Sequence, residues 1–103
     1  MFNLEEFLAQ IKTAVLAYDN KAEVILFGSR ARGDYSEESD WDFLVLTSTK
    51  DAKKHKDSII ESIYDVELKY GQAVSALIES KTDWEYWEIR PLNRNVAKEG
   101  VRI

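Results

Sequence analysis

Leu4, Phe7, Leu8, Ile11, Val15 and Tyr18 recur at the i, i+3, i+4, i+7 spacing of one helical face. The pattern predicts an amphipathic helix from Leu4 to Tyr18. Asn3 is its N-cap, Glu6 completes a capping box, and "DNK" at Asp19–Lys21 ends it. At Ala22 the rhythm changes. "AEVILFG", ending at Gly28, is a nearly continuous apolar run of branched residues, as in a buried strand. "RARGDYSEES" reads as a loop or short helical turn. "DWDFLVLT", Asp40–Thr47, reads as a second strand whose C-terminal half is wholly apolar, as in a sheet covered on at least one face. A second long helix is expected from Asp51 to Gly71. Its stripe is Ile59, Ile63, Val66 and Tyr70, widened by Ile60, and a glycine stops it. "AVSALIES", Ala73–Ser80, gives a third strand. Pro91 breaks any helix begun near Asp83 and suits the first position of a last helix, Pro91–Glu99, with Gly100 as its stop. "VRI" is read as a terminal strand or an exposed tail. The order helix, strand, strand, helix, strand, helix predicts a mixed α/β (α+β) domain, a small sheet with helices packed on one face.

Composition narrows this picture. With 103 residues, 45% hydrophobic and 32% charged, the chain suits one folded domain over residues 1–103 and not a disordered segment. A domain of this size buries a modest share of its surface, so self-association or a partner could add stability. Cysteine is absent, which excludes disulfides, thiolate metal sites and a cysteine nucleophile. No apolar run approaches the ~18 residues that cross a bilayer. The acidic start "MFNLEEFLAQ" lacks the basic opening of a signal peptide, so a cytoplasmic protein without membrane contact is expected. The formal net charge of -5 argues against direct nucleic-acid binding. It leaves room for a small anion met by a local cluster such as Arg30 and Arg32.

The candidate chemistry lies in "ILFGSRARGDYSEESDWDFLVL". Side chains alternate faces along a strand, so Asp40 and Asp42 point one way and Trp41 the other, toward the core. Two carboxylates this close repel unless a cation lies between them. Mg²⁺ is commonly held by one or two carboxylates plus substrate phosphates. The Gly28-Ser29 corner supplies the complementary half: glycine admits a ligand close to the backbone, turn N–H groups bind phosphate, and the Ser29 hydroxyl can donate. Arg30 or Arg32 could offset phosphate charge, and Gly33 lets the chain turn back.

"GSRARGDYSEESDWDFLV" resembles the signature of the nucleotidyltransferase superfamily that shares the palm fold of DNA polymerase beta. Gly28, Ser29, Gly33, Ser39, Asp40, Asp42 and Val45 match the pattern, and the chain is similar to the minimal, MNT-type members. The resemblance implies a polymerase beta palm-like fold and transfer of NMP, most plausibly AMP, from an NTP to a hydroxyl with release of pyrophosphate. It implies two Mg²⁺ ions with Asp40 and Asp42 as ligands, and Gly28 and Ser29 holding the triphosphate, with Arg30, Arg32, Gly33 and Ser39 in the nucleotide-binding segment. It also implies a small helical HEPN-type protein partner, in a toxin–antitoxin-like pair, as acceptor. The family's usual third carboxylate is missing from its central place on the third strand, where something like Ser75 stands. Glu79, on Ser75's face toward the strand's end, is the candidate replacement, with Glu67 behind it. The competing reading is a weak or inactive nucleotide- or partner-binding module of the same fold.

Several side chains have plainer readings. Arg30 and Arg32 are equally well read as neutralising Asp34, Glu37 and Glu38. His55, in "KKHKD", is read as a solvated surface residue. Tyr35 is read as an ordinary loop aromatic. Trp84, Tyr86 and Trp87 are read evenly as a satellite core or a contact surface.

Overall fold

The computed structural model describes residues 2–49, 51 and 53–103. Its elements are α1 (Leu4–Leu16), β1 (Glu23–Phe27), α2 (Ser29–Arg32), β2 (Trp41–Thr47), α3 (Lys56–Tyr70), β3 (Val74–Ser80), α4 (Lys81–Tyr86), α5 (Pro91–Glu99) and β4 (Val101–Arg102). Every expected strand and long helix forms. The Asn3 side chain caps α1 by accepting from the Glu6 N–H at 3.1 Å. Each of the first three strands begins one residue later than the sequence reading placed it, so β2 starts at Trp41 and Asp40 precedes it, and two helix boundaries also differ. α1 ends at Leu16, which leaves Tyr18 exposed and outside the buried stripe of Phe7, Ile11 and Val15. The long second helix starts at Lys56 with His55 at its N-cap, and residues 53–55 form a turn; of the expected segment, Ala52 lies outside the described residues. "VRI" resolves as a strand, β4, at the sheet edge.

The sheet order is β3-β2-β1-β4. β1 runs antiparallel to β2 and β4, and β2 runs parallel to β3, with α3 as the crossover. Antiparallel pairing of β1 with β2 brings the end of one against the start of the other, with Phe27 opposite Asp42. The Gly-Ser corner and the aspartates, far apart along the loop, therefore meet in space.

Strand alternation divides the core. Phe43 and Val45 of β2, with Val24 and Leu26 of β1, pack under α1 and α3. Phe7 is the hub of that layer: its ring centroid lies 5.2 Å from Trp41 and 5.6 Å from Tyr70. A fully buried ring of this kind contributes roughly 1.5–3 kcal/mol. The long helices thus share one face, as expected. The opposite-parity residues Leu44 and Leu46 meet Val96 of α5, with Leu92 and Trp84 packed around them. The short C-terminal helices therefore cover part of the second face, a layer the sequence reading did not provide. Trp84 joins this satellite core, while Tyr86 and Trp87 stay 75% and 47% exposed. Gly100 ends α5 because its Cα closes on the chain before it: a Cβ there would lie 2.5 Å from the Val96 carbonyl oxygen. None of the helices is long and apolar enough to cross a membrane among the described residues.

Candidate active site

The corner is built at Gly28. Its φ of 76° and ψ of -161° are open to glycine and costly for residues with a Cβ. A Cβ here would also overlap Oδ2 of Asp42. The bare Cα lets the Asp42 carboxylate lie directly against the backbone turn. Ser29 opens the single turn α2, and Gly33 closes it with φ 90° and nothing within 4 Å of where its Cβ would stand. Gly33 thus serves the turn, as its spacing implied.

Asp42 is half-buried and Asp40 exposed. Burial, then the charge of Asp40, pushes the Asp42 carboxyl above its ordinary range; Glu99 adds to the rise and Arg32 opposes it. The aspartates are therefore neighbours whose charges conflict, and hard oxygen donors in that state suit a divalent cation such as Mg²⁺. Among the described residues no third His, Cys, Asp or Glu joins them in a metal-ligand cluster.

The structure does not bring Glu79 to this pair. Ser75 stands opposite Asp42 in the parallel ladder, and Glu79 stands opposite Leu46. Four residues at about 3.3 Å each put Glu79 some ~13 Å along the strand from Ser75. Its carboxylate is held by Arg90 at 3.0 and 3.1 Å. The expectation of a Glu79 metal ligand beside Asp42 is corrected accordingly. Glu67 is also occupied, accepting the Val74 N–H at 2.8 Å, where it ties α3 to β3.

Arg30 also departs from expectation. Its guanidinium carbon sits 4.3 Å from the Tyr35 ring centroid and 4.5 Å from that of Trp41. Its Nε and Nη2 donate to the Ser39 carbonyl at 3.3 and 3.0 Å, and Nη2 donates to the Glu37 carbonyl at 3.2 Å. Trp41 is buried on the core side of β2. Arg30 therefore lies behind the aspartates, which corrects its reading as a phosphate ligand. Ser39 is likewise a loop residue: its Oγ accepts the Ser36 N–H at 3.0 Å. Arg32 remains beside the corner, exposed, bound to Asp34 at 3.2 Å and to both oxygens of Glu99 at 3.2 Å.

Glu99 is the site residue that the sequence reading missed. Its Oε1 accepts the Gly28 N–H at 3.2 Å across 71 residues of chain. Nothing local in "VAKEG" distinguishes it from a solvated helix-end acid; only the pairing of β4 with β1 brings it there.

A model described as nucleotidyltransferase domain matches residues 8–103. The chain belongs to that family. Three proteins of Methanocaldococcus jannaschii are similar to it. The provisionally named protein adenylyltransferase MJ0141 is 43% identical over 79 residues, 77% of this chain and 78% of its own. The provisionally named protein adenylyltransferase MJ0604 is 35% identical over 103 residues, 94% of this chain and 90% of its own. The provisionally named protein adenylyltransferase MJ1305 is 35% identical over 95 residues, 86% of this chain and 60% of its own. As a nucleotidyltransferase the chain is an enzyme of nucleotidyl transfer. The α+β sheet with its corner between β1 and β2 is the fold of that domain.

Proposed function

We propose that this nucleotidyltransferase moves AMP from ATP to a hydroxyl on a protein, in a Mg²⁺-dependent reaction at the Gly28–Asp42 corner. The observation that carries the reading is Asp42 seated on the bare Cα of Gly28 beside Asp40, its carboxyl raised by burial and by that neighbour. The names of the relatives supply the protein acceptor and the adenylyl group.

Asp40 and Asp42 would hold the metal, which would supply charge neutralisation at the attacking and leaving oxygens. Gly28 admits the triphosphate to the backbone, and the Ser29 hydroxyl donates to it. Arg32 can exchange its contacts with Asp34 and Glu99 for a phosphate oxygen. The acceptor oxygen bonds to the α-phosphorus and loses its proton. The bond from the α-phosphorus to the bridging oxygen breaks, and pyrophosphate leaves. A small helical HEPN-type protein, implied by the resemblance, is the first acceptor to try.

The test is transfer of label from α-labelled ATP with Mg²⁺ and such a protein. The Asp40→Asn/Asp42→Asn double variant should lose the label transfer by about 10³-fold or more, since metal assistance supplies several kcal/mol and each 1.36 kcal/mol is tenfold. Equal transfer by the double variant refutes the site. Ser75 opposite Asp42 favours a second reading, a module that binds nucleotide without transfer. Mg²⁺-dependent nucleotide binding with no label on any acceptor would support that reading.

A further inference from the structure

Asp40 and Asp42 are held by different means. Asp42 lies inside β2, laddered to Phe27 on one side and Ser75 on the other. Asp40 precedes the strand and is outside that ladder. The peptide group entering Asp40 is carried by the Ser39 carbonyl, which accepts both Nε and Nη2 of Arg30. The residue leaving Asp40, Trp41, lies with its ring under the same guanidinium. Trp41 is itself pinned: its indole N–H donates to Gln72 Oε1 and its backbone N–H to the Ala73 carbonyl, each at 2.9 Å. The Tyr35 ring also packs on this guanidinium, its centroid 4.3 Å from the central carbon.

We propose that Arg30 is the positioning residue for Asp40, fixing this carboxylate against Asp42 for the cation they share. The inference rests on the metal-binding reading given above. Arg30 touches no reacting atom. It grips the chain on both sides of Asp40 from behind. A planar guanidinium close to two rings does this as a lysine ammonium does not, because its rigid fork of donors is held in one plane for the Ser39 and Glu37 carbonyls while that plane packs on aromatic rings. This separates the role from that of a phosphate ligand, for which a lysine at the same place would retain the needed charge.

The test uses the whole chain and Mn²⁺ as probe, its binding followed by loss of the free-ion electron paramagnetic resonance signal, without nucleotide. Arg30→Lys is expected to weaken Mn²⁺ binding by about 10–100-fold, the range for residues that orient metal ligands. Tyr35→Leu, which removes one of the two ring contacts, should weaken it less. In label transfer at saturating Mg²⁺, Arg30→Lys should keep the KM for ATP within about twofold of wild type. Wild-type affinity for Mn²⁺ in Arg30→Lys overturns the inference while leaving the site intact. A raised KM for ATP with unchanged Mn²⁺ binding overturns it in favour of a phosphate contact. Absence of Mn²⁺ binding by the wild type, or equal binding by the Asp40→Asn/Asp42→Asn variant, overturns the site reading and this inference together. If Arg30→Lys fails to fold, wild-type Mn²⁺ affinity in Tyr35→Leu overturns the inference, and weakened binding by that folded variant upholds it.

Discussion

An aspartate stands at each end of β2, buried Asp19 against the residue that follows the strand and half-buried Asp42 near its start, and the two are in opposite states. At the C-terminal end, Asp19 reaches across from the end of α1. It accepts the Ser48 N–H at 2.8 Å, the Ser48 hydroxyl at 2.7 Å and the Lys21 N–H at 3.1 Å. Burial alone would raise its carboxyl, but the hydrogen bonds from Ser48 and Lys21 and the charge of Lys81 outweigh it and hold the group below its ordinary range. At the N-terminal end, Asp42 is raised by burial, with the negative charges of Asp40 and Glu99 added. The residue type is shared; the partners differ. A buried acid supplied with donors ties the fold together. One left among other acids is disfavoured in its charged form, which is what a bound cation, as proposed above, would relieve.

The largest effect that would break this comparison is on stability at neutral pH. Asp19 has a lowered folded pKa, so its contribution is present above its unfolded value of 3.8 and is lost as the pH falls through the folded value. Asp19→Ala should cost about 2 kcal/mol, as for lost hydrogen bonds to a charged group, or about 10 °C in Tm. Its label transfer, corrected for folded fraction, should stay near wild type. Asp42 has a raised folded pKa, so its stabilising contribution is present below 3.8 and disappears as the pH rises through the folded value. Asp42→Asn should therefore raise Tm at pH 7 while abolishing transfer, and Mg²⁺ should raise the Tm of the wild type and not that of Asp42→Asn. Thermal melts across pH, with and without Mg²⁺, check both. A lower Tm in Asp42→Asn would end the contrast.

A middle-sized effect concerns Glu99. Its carboxylate occupies the Gly28 N–H and Arg32, the donors nearest the corner. Glu99→Gln removes a negative charge from the place proposed for a phosphate, so ATP should bind about 2–5-fold more tightly, the scale of a partly exposed charge interaction. A nucleotide titration reads this directly. Weaker binding would instead make Glu99 a brace for the corner.

The smallest effect is at Glu79. Glu79→Gln loses the ion pair with Arg90, worth about 1 kcal/mol or less. It should leave the Mg²⁺ dependence of transfer unchanged, since the register keeps Glu79 away from the aspartates. An altered metal requirement, measured by Mg²⁺ titration of label transfer, would return Glu79 to the ligand set.

How legible the site was depended on distance along the chain. The Gly28 corner, the turn at Gly33 and the alternation of buried Trp41 with half-buried Asp42 are all local, and the structure carries each of them. Arg30, in the same segment, reads evenly as a phosphate ligand or as a partner of the loop acids, and in the structure it binds the loop carbonyls of Glu37 and Ser39. A cation beside a phosphate motif has an obvious use, and the packing of Arg30 on Tyr35 and Trp41 depends on how the loop folds over the core. The missing third acid was noticed at Ser75, yet placing Glu79 required the β2–β3 register. Glu99 carried no sequence signal at all.

The residue pattern by itself determined the two long helices, the last helix, the first three strands and their order, with Asp40 and Asp42 at the entry to β2, because periodicity, caps and turn chemistry act over a few neighbouring residues. Tertiary structure decided which acids meet and which are drawn off by arginines. Those outcomes follow from strand register and from contacts such as Gly28 with Glu99, which form only when the whole sheet assembles.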